Sequence, residues 1–159
     1  MSELKTIEEK LKNSLSGDNL ENALDFMAHM TKIGMTPKME HHPTFYYKDE
    51  WICLFDAIDD NLMICSWPGT LDVTESANYL VDENVKAFAQ GFVKKCFHCG
   101  GCGDSGSPGP MVRNIFGQAY DNVCCNIFHF WNPDGKQLEN GKILMELLTH
   151  IIDDKQCSE

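Results

Sequence analysis

Thr44-Phe45-Tyr46-Tyr47, Lys48-Asp49-Glu50, Trp51-Ile52-Cys53-Leu54-Phe55, Asp59-Asp60-Asn61 and Leu62-Met63-Ile64-Cys65-Ser66-Trp67 succeed one another in the first half of the chain. Aromatic and aliphatic runs alternate here with short polar turns, and Pro68-Gly69 closes the last run. Runs of that length, bounded by turn residues, predict three strands of an antiparallel meander. A fourth strand is expected over 123–131, from Val123 to Trp131, where Asn132-Pro133-Asp134 breaks it.

Either side of the meander the apolar period becomes helical. Leu4, Ile7, Leu11 and Leu15 predict a helix over 2–16, ended by Gly17. Asp18 caps a second, over 19–33, with Leu20, Ala23, Leu24, Met27 and Ile33 on one face and Gly34 at its end. Val85, Phe88, Ala89, Phe92 and Val93 predict a third over 82–94. Leu138, Leu144, Met145, Leu147, Leu148, Ile151 and Ile152 predict a fourth over 135–153. The order ααβββα–knuckle–βα reads as α+β: a two-layer domain with an antiparallel four-stranded sheet and helices packed on one face. One domain is expected over 1–159. It has an N-terminal helical hairpin at 2–34 and a metal-binding knuckle region at 94–125.

Composition narrows the function classes. Of 159 residues, 43% are hydrophobic and 23% charged, which excludes a disordered tail. No apolar run approaches the roughly 20 residues of a membrane-spanning helix. Thirteen Lys and Arg stand against 24 Asp and Glu, a net charge of −11. Such a surface repels phosphate backbones and favours cations, so nucleic acid is not an expected partner. The N-terminal residues are charged and lack the apolar core of a signal peptide, so a cytoplasmic location with reduced thiols is expected. Eight cysteines then need an explanation other than disulfides.

Four of them supply one. Cys96-Phe97-His98-Cys99-Gly100-Gly101-Cys102 is C-x-x-C-x-x-C, and Cys124 follows on the fourth strand. Two-residue spacing lets thiolates turn toward one ion, and the glycines permit the tight turns this needs. Soft thiolates select zinc or an iron–sulfur cluster, and four of them leave no open position, which points to structure over catalysis. His98 or Cys125 could stand in as a ligand. Cys124 and Cys125 are neighbours on a strand and face opposite ways, so only one of them serves. A thioredoxin-like reading of Cys96 and Cys99 lacks the expected preceding strand.

Other signals carry less. Residues 101–106 match G-x-G-x-x-G, but a helix precedes them and Pro108 and Pro110 follow, the wrong setting for a dinucleotide. His41-His42-Pro43 reads as an exposed loop. His29 reads as a helix-boundary residue, and Met27, Met30, Met35 and Met39 as core filler. Asp56, Asp59 and Asp60 crowd a hairpin, as a solvated turn or a weak cation site. Trp51, Trp67 and Trp131 sit on predicted strands, and His129 alternates with Phe128 and Phe130.

Several stretches resemble a family of small, Cys-rich, uncharacterised proteins from Firmicutes. They are Asp18 to Phe26, Gly34-Met35-Thr36, Tyr47 to Cys53, Ser107-Pro108-Gly109, Ile115-Phe116-Gly117, Asn122-Val123-Cys124 and Asn132-Pro133-Asp134. The resemblance places that family's cysteines at Cys96, Cys99, Cys102 and Cys124, with a longer loop here between Cys102 and Ser107. The meander followed by a late strand, a Pro-containing turn and a closing helix is also similar to YdhG-like, frataxin-type α+β domains. That likeness implies iron handling on an acidic surface.

The expected function is therefore a cytosolic, zinc-stabilised binding domain without catalysis. Its partner, a small molecule or a protein, would sit in a groove between the sheet and a helix, lined by Trp51 and Trp67 with His129 as a further contact. Iron delivery and thiol-based redox or iron–sulfur chemistry are the alternatives.

Overall fold

In a computed structural model, residues 2–68, 81–98 and 110–159 are described. Two helices come first, α1 (Glu3–Ser14) and α2 (Gly17–Lys32). Four strands follow: β1 (Thr36–Met39), β2 (Pro43–Tyr47), β3 (Glu50–Ile58) and β4 (Asn61–Pro68). Then come α3 (Glu83–Gly91), β5 (Val93–Lys95), β6 (Met111–Ile115), β7 (Gln118–Trp131) and α4 (Gly135–Ser158). The strands form one open antiparallel sheet in the order β1-β2-β3-β4-β7-β5, with β6 also paired to β7.

The α+β class and the meander are as expected, but the sheet has seven strands among the described residues, not four. Strand β1 contains Pro37 and lies at an edge, the one place in a sheet where a missing N–H is tolerated. The third helix ends at Gly91, three residues early, and Val93 enters β5 opposite Phe128. An apolar residue is required at 93 either way, so its helical spacing was misleading. Strand β7 starts five residues earlier than expected because Gln118 turns back onto β6.

Turn chemistry sets the registers. Lys48 and Asp49, Asp59 and Asp60, and Phe116 and Gly117 each link two strands with both central residues at positive φ. That is the twist a two-residue antiparallel hairpin requires. The Asp59–Asp60 turn also docks the helical hairpin. Asp60 accepts from the Ser16 N–H at 2.7 Å and from its hydroxyl at 3.0 Å, at the start of α2. At α4 a capping box between Asp134 and Gln137 satisfies the exposed N–H groups of the first turn.

The helices bury one face of the sheet. Ile7 and Leu11 of α1, Phe26 and Met30 of α2, Val85 and Phe88 of α3, and Leu144 and Leu148 of α4 share a single core with Phe45, Phe55, Ile64, Phe128 and Phe130. Phe55 meets Phe26 and Phe45 at centroid separations of 5.9 and 5.0 Å, and Phe130 stacks on Phe88 at 5.0 Å. Gly141 lets α4 approach α2 closely, since a Cβ there would stand 3.4 Å from the Phe26 ring. A register shift opposite Phe45 and Tyr46 buries Ile52 and Cys53 together. Leu54, Asp56, Met63 and His129 alternate with these core positions and are only half-buried. They belong to the opposite face of the sheet.

Candidate functional site

Among the described residues, chemistry-bearing side chains gather at the end of β5 and on the face of the sheet away from the helices.

At the first, the short pairing of β5 with β7 ends at Lys95 opposite Val123. The next residue is Cys96, whose N–H donates to the Asn122 carbonyl at 2.7 Å. The Asn122 amide returns a bond to the Cys96 carbonyl at 3.2 Å. Asn122 adopts φ +54, a left-handed conformation that asparagine tolerates better than most residues. Cys96 is thereby pinned two residues along β7 from Cys124, which is buried. The His98 N–H points at the Cys96 sulfur at 3.3 Å, with His98 itself at φ +57. The chain thus starts to fold around the first thiol of C-x-x-C with a main-chain donor aimed at it. Donors of this kind are strengthened when the acceptor is charged, as a thiolate is.

Cys99 and Cys102, together with the G-x-G-x-x-G stretch, lie outside the described residues. Among the described residues no three His, Cys, Asp or Glu side chains form a group able to hold a metal. His42 stands near Asp56 at 3.6 Å, and His29 approaches Glu146 of α4 at 3.2 Å, a boundary position as expected.

At the second place, Cys65 of β4 is the direct cross-strand partner of His129 on β7, with 3.8 Å between Sγ and Nδ1. Burial pushes the Cys65 thiol up to about 12. Asp56, Cys124 and Cys125 add to the rise and Lys94 opposes it. Burial, then the Lys94 ammonium, pulls His129 down to about 4. At neutral pH the pair is a thiol and a neutral imidazole. A nucleophilic or redox-active cysteine needs the opposite, a thiolate beside a cation, so this pair is not activated.

Around it the surface is concave. A cavity of about 290 Å³ is lined by Met63, Phe92, Lys94, His129 and Trp131, with Gly91 at the end of α3 and Val93 completing its wall. Another, of about 270 Å³, is lined by Asp56, Ile58, Asp59, Asn61 and Trp131. Trp131 is 57% exposed and is common to both. Asp56 Oδ1 and His129 Nε2 are each shielded from solvent without a hydrogen bond.

Of the ligand residues expected from sequence, His129 therefore lines a cavity, but on the face opposite the helices. On the helix side Phe128 and Phe130 are buried in the core, and the cavity described there, of about 520 Å³, lies between α1 and α2 and includes neither Trp51 nor Trp67. Trp51 pairs with Tyr46 near the β1–β2 edge and lines neither cavity. Trp67 is placed on β4 by its backbone, and its side chain lies outside what is described. Trp131, Asp56, Asp59 and Lys94 were not singled out together. The signal that joins them is the alternation of β7: buried Phe128 and Phe130 predict that His129 and Trp131 share the other face.

No protein-family model, no curated protein sequence and no solved structure matches this chain. Among the described residues no helix is long and apolar enough to cross a membrane.

Proposed function

We propose that the protein is a cytoplasmic, zinc-stabilised binding domain. Its metal is structural, and its ligand surface is the face of the sheet away from the helices. Cys96, Cys99, Cys102 and Cys124 hold the zinc, with His98 and Cys125 as the alternates. The observation that carries this reading is the clamping of Cys96 onto Asn122, beside Cys124, with the His98 N–H directed at its sulfur. Four thiolates close a tetrahedron around zinc and exclude substrate from it. The Gly-, Ser- and Pro-rich sequence from Cys96 to Pro110 has no apolar periodicity of its own, and metal binding is a known source of folding energy for such segments. Catalysis is not part of the reading, because four thiolates leave the metal no open position and the Cys65–His129 pair is held neutral on both sides.

Metal analysis with an absorption spectrum tests it. One equivalent of zinc and no visible absorbance is the expected result, lost in Cys96→Ser and Cys124→Ser. Visible charge-transfer bands and bound sulfide would replace zinc with an iron–sulfur cluster. Iron binding that disappears on changing carboxylates but survives changing cysteines would favour iron delivery instead. Less than half an equivalent of any metal would remove the structural-metal reading.

A further inference from the structure

Two cavities share Trp131, one on the face that no described helix covers and one where that face meets the end of α3, and they carry opposite charge. Asp56 and Asp59 line the first, and Lys94 is the charged group of the second, where His129 is a polar neighbour. We propose that this double cavity binds an amphoteric organic molecule. Its ammonium end lies toward Asp56 and Asp59, its carboxylate end toward Lys94, and its connecting methylenes cross the Trp131 ring. The proposal rests on reading this face as the ligand surface and is independent of zinc.

The chemistry of the walls selects this ligand over simpler ones. A hard metal cation takes about six to eight oxygen ligands. Two carboxylates and one Asn would leave most of that shell to water, whereas the aromatic wall beside them suits an organic cation. An exposed indole face attracts organic ammonium groups and packs against methylenes. Asp60, the third acidic residue of the turn, is committed to Ser16, which leaves Asp56 and Asp59 for a ligand. Asp56 Oδ1 is shielded from solvent beside His42 Nδ1 at 3.6 Å, so its carboxylate reaches a ligand through Oδ2. A pure anion would meet a chain of net charge −11 and a single lysine. A pure cation would gain nothing from Lys94. Only a molecule with both ends uses both cavities.

Calorimetric titration of the full chain with ε-aminocaproate, hexylamine and hexanoate tests this. ε-Aminocaproate should bind roughly tenfold or more tightly than either one-ended analogue, the scale of one charge-assisted contact. Lys94→Gln should reduce it to the affinity of hexylamine, Asp59→Asn should weaken hexylamine along with it, and Trp131→Ala should weaken all three. Unchanged urea midpoints show that the variants remain folded. Equal binding of ε-aminocaproate and hexylamine, a site filled by calcium alone, or no heat from any probe overturns the proposal. Zinc content measured on the same samples separates the two readings. Zinc-loaded protein that binds no probe defeats only the amphoteric ligand, and zinc-free protein that binds ε-aminocaproate defeats only the metal.

Discussion

Positions 128 to 131 of β7 place two different environments one residue apart. Phe128 and Phe130 point into the helix layer and are at most 1% exposed. His129 and Trp131 point the other way, onto a face that no described helix covers, and Trp131 remains 57% exposed. The same backbone therefore holds the core on one side and presents polar and aromatic groups on the other. Stability and ligand chemistry are separable along this strand, because changes on one face leave the packing of the other in place.

Breaking the covered face should have the largest effect. Phe130 stacks on Phe88, meets Phe92 edge-on at 5.5 Å and lies beside Phe128. Phe130→Ala leaves a cavity among rings of α3, its C-cap and β7 and should cost about 3–5 kcal/mol. Urea denaturation should show this as a lower midpoint with an unchanged slope.

Removing metal should come next, and it tests the end of β5 rather than the sheet. If zinc binds only the folded chain, free zinc at a hundredfold above Kd adds about 2.7 kcal/mol. A chelator should remove that increment in the native protein and change nothing in Cys96→Ser. Hydrogen exchange should localise the loss to Val93–Lys95 and the neighbouring part of β7, while β3 and β4 stay protected.

These two regions were also unequally legible in the sequence. The meander and all four helices follow from periodicity, because long apolar stripes and polar turns agree there. The three unexpected strands are short or ambiguous. Thr36–Met39 holds a proline, Val93–Lys95 continues a helical stripe, and Met111–Ile115 mixes exposed apolar residues with Arg113 and Asn114. The turn at Phe116-Gly117 was the missed cue, since two residues with a glycine between short runs mark a hairpin. At the candidate site, cysteine spacing singled out Cys96 and Cys124, and the structure bonds Cys96 to Asn122, two residues before Cys124. The double cavity was not accessible that way. Asp56, Asp59, Lys94 and Trp131 come from three separate parts of the chain, and only the register of β3, β4, β5 and β7 assembles them.

On the open face, acid should act through His129. Its pKa in the folded protein is depressed to about 4 from the ordinary 6.5. Between those values the unfolded chain binds the proton that the native ring refuses. The contribution is therefore fully present above about pH 6.5 and is lost as pH falls toward 4. At 1.36 kcal/mol per pKa unit the limit is about 3 kcal/mol, and solvent access to this half-buried ring lowers the expected loss to about 1–2 kcal/mol. Comparing urea midpoints at pH 7 and pH 4.5, His129→Gln should lose less than the native chain by that margin. Equal losses would mean that the ring is no more shielded than an exposed histidine.

The smallest expected change in stability sharpens the comparison most. Trp131 is the immediate neighbour of Phe130, yet most of its ring is in water, so Trp131→Ala should move the unfolding free energy by no more than about 0.5 kcal/mol. The ring that packs so little is the one that both cavities share. A ligand platform is a use that accounts for it. The substitution should therefore leave the urea midpoint where it was while weakening ε-aminocaproate binding. A loss of several kcal/mol in stability would instead make Trp131 a packing residue and extend the core to the second face of the sheet.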